Sequence, residues 1–154
     1  MRLSQGLFAL GACKDPLFFS HELLEQGTML HSFSSSILRT YQDIRKAIEF
    51  YESNQHILNL LNHKIHFQEE LVMSHASVVS SLIHSTQVVL EIPELNSVAQ
   101  CKLLDHIAYK FRQQSDSLEE IDNMHTGPYE LCIALQTGEN CLKRVHRNLL
   151  DMTQ

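Results

Sequence analysis

Residues 131–152, LCIALQTGENCLKRVHRNLLDM, place Leu131, Leu135, Gly138, Leu142, Val145, Leu149 and Met152 at alternating spacings of four and three. An α-helix completes a turn in about 3.6 residues, so this spacing puts all of these positions on one buried face. Residues 30–51, LHSFSSSILRTYQDIRKAIEFY, repeat the pattern through Leu30, Phe33, Ile37, Tyr41, Ile44, Ile48 and Tyr51. Two such stripes, with little of the alternation that marks strands, predict an all-α chain whose core forms between long helices lying side by side.

The breaks between helices are read from the 3 prolines and 5 glycines. Asp15-Pro16 reads as an N-cap followed by the first helical residue, and Thr126-Gly127-Pro128 as a second start. Pro93-Glu94 places an acidic side chain in a first turn, where the helix dipole favours it. The predicted helices run over 16–52, 54–91, 94–123 and 128–152, with a corner at Ser53-Asn54 and a weak point at Gly27 that would split off the first turns. Short connections imply antiparallel neighbours. The expected fold is an antiparallel bundle of four main helices in a single domain, 1–154, with Leu3, Leu7, Phe8 and Leu10 in a short N-terminal accessory helix or arm. Ser53-Asn54 is only a modest breaker, and fusion of the first two helices would favour an intertwined dimer. Gly138 lies inside a stripe, where glycine costs about 0.5–1 kcal/mol relative to alanine, and so points to a tight helix crossing. The competing reading is a break over 137–140.

The second helix is apolar on two faces. One stripe passes through Leu58, Leu61, Ile65, Gln68, Val72, His75, Val79, Leu82, Thr86 and Val89, and a second face carries Ile57, Leu60, Phe67, Leu71 and Val78. A core of this length does not absorb both, so the second face is the expected contact for a protein partner or a second copy. Gln68 and His75 interrupt the first stripe, where a polar side chain fixes register if it finds a hydrogen-bond partner; the competing reading rotates the helix so that both reach solvent or water.

Charge and composition exclude several classes. The net charge is −6, and the densest basic group, Lys143, Arg144, His146 and Arg147, falls in the last turns of the final helix, where cations suit the dipole. A nucleic-acid partner is therefore not expected. No apolar run is long enough to span a bilayer. Leu10-Gly11-Ala12-Cys13 loosely resembles a lipoprotein cleavage box, but the preceding segment lacks a sustained apolar run, so no lipid anchor is expected. The 4 cysteines, at 13, 101, 132 and 141, form no C-x-x-C pair, which fits a reducing cytoplasm.

Catalytic patterns are missing. His63, His66, Glu69 and Glu70 cluster in sequence, and His66 and Glu70 lie one turn apart, yet neither Glu-x-x-His nor H-E-x-x-H occurs. Cys132 lacks a marked base, the serines at 34–36 and 80–81 lack a Gly-x-Ser-x-Gly context, and no phosphate-cradling glycine loop is present. No catalytic, cofactor or metal residue is assigned. The expected function is a non-enzymatic protein–protein interaction module: an adaptor, a small subunit of an assembly, or a secretion-related chaperone or effector. The alternative is a metal-binding bundle enzyme with histidine and glutamate ligands.

Overall fold

A computed structural model describes residues 7–49, 55–124 and 127–137, with the backbone alone for 55–58 and 134–137. The described residues form helices α1 (Pro16–Ile48), α2 (Gln55–Val89) and α3 (Ser97–Asn123) and a ten-residue helical segment α4 (Pro128–Thr137), with no strand among them. Residues 138–152 of the expected last helix, Gly138 included, lie outside the described residues, as does the Ser53-Asn54 corner.

Local chemistry sets the helix starts. The Asp15 carbonyl accepts the first α1 bond from Phe19 N at 2.9 Å, while its side chain accepts from Leu17 N at 3.2 Å, the reciprocal geometry of an N-cap. The start of α3 differs from expectation: Pro93 and Glu94 are not helical. Leu95 N donates to Ile92 O at 3.3 Å, closing a turn with Pro93 at its second position, which suits the fixed φ of proline. Asn96 then caps α3, its side-chain oxygen accepting from Ala99 N at 2.9 Å. A dedicated cap outcompetes an acidic first turn because it satisfies an orphan N–H directly. α1 runs to Ile48, with Arg45 and Lys46 in its last turn, and positions 50–52 of the expected helix lie outside the described residues.

The described residues fall into two compact units, those within Met1–Ser34 and Ser74–Glu119 and those within Ser35–Met73 and Glu120–Gln154. In the first, Phe19, Leu23, Leu30 and Phe33 of α1, Val79 and Leu82 of α2, and Leu104, Ile107, Phe111 and Leu118 of α3 are buried. Gly27 does not split α1. A Cβ there would stand 2.9 Å from Phe111 Cζ and 3.1 Å from Ile83 Cγ1, so glycine is present because two neighbouring side chains occupy the space. The segment before α1 folds onto the same unit. Phe8 is buried and stacks on Phe111 with centroids 4.9 Å apart, and its N–H donates to Gln26 Oε1 at 2.8 Å. Its φ of 57° is unfavourable for a side chain with a Cβ, and burial of the ring offsets that strain.

In the second unit, Ile37, Tyr41, Ile44 and Ile48 of α1, Leu61, Ile65 and Val72 of α2, and Ile121 and Leu131 are buried. Gly127 links α3 to α4. A Cβ at that position would lie 2.5 Å from Asp122 O and 2.6 Å from Ile121 O, so only glycine permits so close a backbone approach. The Gly127 carbonyl accepts from Leu131 N at 3.1 Å and opens α4.

Candidate functional site

The two faces of α2 separate as the 3.6-residue period requires. Leu61, Ile65, Gln68, Val72, Val79, Leu82, Thr86 and Val89 of the first stripe are buried. Of the expected contact residues in the second unit, Phe67 is 56% exposed and Leu71, one turn on, 39% exposed. Leu60 is half-buried, and the Ile57 side chain lies outside the described residues. Val78 belongs to the first unit and is 41% exposed. The Lys64 ammonium sits 5.4 Å from the Phe67 ring centroid, a cation–π contact that covers one side of the ring without removing it from solvent.

The polar interruptions of the buried stripe have partners. His75 Nδ1 and Gln114 Oε1 are 2.6 Å apart in the first unit, with the imidazole donating when Nδ1 carries the proton. In the second unit Gln68 Nε2 lies 4.0 Å from Met124 Sδ. Thr86 Oγ1 donates to Leu82 O at 2.7 Å, the usual way a hydroxyl is satisfied inside a helix.

Sequence reasoning passed over a charged cluster in the second unit. Glu69 is 7% exposed, and its Oε2 accepts from Arg45 Nη2 at 3.1 Å. Burial, then Asp122, then Glu69 push the Tyr41 phenol well above its ordinary range. Burial likewise raises the Asp122 carboxyl. The available signal was the position of Glu69 next to Gln68 of the buried stripe, masked by its neighbours His66 and Glu70, which lie one turn apart. Those two do form an exposed pair at 3.2 Å.

Gln42, Arg45, Lys46, Glu49, Asn59, Asn62, His63 and His66 line an open polar groove of about 630 Å³ in this unit. Among the described residues no three histidine, cysteine, aspartate or glutamate side chains converge as a metal-binding group. Cys132 is half-buried, with burial and then Asp43 raising its thiol pKa, which disfavours the thiolate a nucleophile needs. No helix among the described residues is long and apolar enough to cross a membrane.

The cysteines hold a relation that spacing could not reveal. Cys13 and Cys101 stand 88 positions apart in the chain, and the Cys13 thiol donates to Cys101 Sγ at 2.6 Å in the first unit. No protein-family model, curated protein or solved structure matches the chain.

Proposed function

We propose that the chain is a non-enzymatic protein–protein interaction module, built on four main helices packed antiparallel with the N-terminal segment as an accessory arm. It serves as an adaptor, a small subunit of an assembly, or a secretion-related chaperone or effector in the cytoplasm. The observation that carries this reading is the exposed pair Phe67 and Leu71 on a helix whose neighbouring face is buried at Leu61, Ile65, Gln68 and Val72. Large apolar side chains one turn apart form the kind of anchor that a helix presents to a groove or to a second helix. Val78 extends the apolar character of α2 within the first unit.

The test replaces Leu71 with aspartate, with Val72→Asp as the control. Leu71→Asp should abolish self-association in sedimentation, or recovery of a stoichiometric partner from the native cell, while helix content and melting temperature stay nearly unchanged. Val72 is buried, so an aspartate there should unfold the protein, because an unpaired charge in the core is strongly unfavourable. Wild-type protein that is monomeric at micromolar concentration and recovers no partner would defeat the proposal.

A further inference from the structure

Cys13 and Cys101 belong to the first unit, whereas Phe67 and Leu71, which carry the interaction reading, belong to the second. Both thiols are half-buried and free, and their sulfurs are in direct contact. We propose that Cys13 and Cys101 form a dithiol site that a low-molecular-weight disulfide of the glutathione class converts into an intramolecular disulfide, fastening the segment before α1 to α3.

Three observations carry this. The sulfurs already lie 2.6 Å apart, so the side chains need little rearrangement to bond. The segment that carries Cys13 is held on the same unit by Phe8, whose ring stacks on Phe111 and whose N–H bonds Gln26, so the contact is part of a docked segment. Finally, Phe8 has a φ of 57°, a strained backbone that a covalent link at Cys13, close by in the chain, would help to retain.

The chemistry divides between the two sulfurs. Cys13 is the S–H donor, and its pKa is pushed up to about 12 by burial first, then by its bond to Cys101 and the nearby charges of Cys101, Asp105 and Asp15. Cys101 is the acceptor, and its sulfur therefore makes the first attack. Cys101 loses its proton to solvent, and its sulfur displaces one thiolate from the small disulfide to form a mixed disulfide. Cys13 then loses its proton to solvent, attacks Cys101 Sγ and releases the second small thiolate. Two protein thiols lose two electrons and two protons, and one small disulfide becomes two thiols.

The experiment exposes the full chain, in its native state, to glutathione disulfide. The intact mass should fall by two hydrogen atoms with no glutathione retained, and a non-reducing peptide map should join the peptide containing Cys13 to that containing Cys101. Dithiothreitol should reverse both. Because the bridge closes a loop spanning most of the chain, the oxidised form should melt about 5 °C or more above the reduced form. Cys132→Ser should behave as wild type, and Cys101→Ser should form no intramolecular bridge. A Cys13 and Cys101 pair that stays open to alkylation, a bridge from either to Cys132 or Cys141, or an oxidised form that melts no higher overturns the proposal.

Discussion

Tyr41 shows how a single buried group sets a pH dependence. Its phenol keeps its proton well above the ordinary range because burial and the carboxylates of Asp122 and Glu69 disfavour the phenolate. Between about pH 10, where an unfolded tyrosine ionises, and the raised folded value, the folded state binds more protons than the unfolded state. Stability therefore falls as pH rises through that window. Urea midpoints measured from about pH 9 to 11 should decline for wild type and decline less for Tyr41→Phe. Asp122 follows the same sign at lower pH: its raised carboxyl takes up a proton earlier in the folded state, so Asp122→Asn should raise the midpoint at neutral pH. The neighbouring ion pair works through desolvation. Arg45→Met would leave the carboxylate of Glu69 buried without its cation and should cost about 1–3 kcal/mol, less than a fully buried pair because Arg45 is partly exposed. Arg45→Met/Glu69→Leu should recover part of that loss in the same denaturation assay.

At the scale of elements, close approach decides which glycines matter. Gly27→Ala gains about 1 kcal/mol of helix propensity but drives a methyl against the Phe111 ring, and overpacking costs about 1–3 kcal/mol. The net effect should be a modest loss. Gly127→Ala meets backbone carbonyls at 2.5 and 2.6 Å, which cannot rotate away as a side chain can, so its melting temperature should fall further than that of Gly27→Ala. From the sequence, a tight crossing is expected at Gly138, which lies outside the described residues, and a weak point at Gly27. The difference lies in what faces the glycine. The stripe of α3 through Leu104, Ala108, Phe111, Ser115, Leu118 and Ile121, all buried, was also overlooked, because Ala108 and Ser115 dilute its apolar signal. Phe8 is buried in the segment before α1: Phe8→Ala should cost about 3 kcal/mol and make residues around Phe8 accessible to limited proteolysis.

For the whole molecule, composition and helix content bound the behaviour. A far-ultraviolet spectrum should be dominated by helix. The net charge of −6 should leave the protein unretained on nucleic acid at low salt, where binding through phosphate contacts is strongest. The candidate contact face was legible only in part. Period alone placed Phe67, Leu71 and Val78 away from the main stripe, but it gave no means of ranking them above Leu60, which is half-buried.

By itself the sequence determined the helical class, because a 3.6-residue apolar period admits one local structure, and it determined the buried faces of α1 and α2 for the same reason. Asp15 and Pro16 likewise fixed a helix start through contacts spanning a few residues. The tertiary structure alone decided that Gly27 faces Phe111, that Glu69 is buried against Arg45, and that Cys13 touches Cys101. Those relations join positions 84, 24 and 88 residues apart, and no local period or propensity encodes which side chains meet across such distances. They arise only when helices pack.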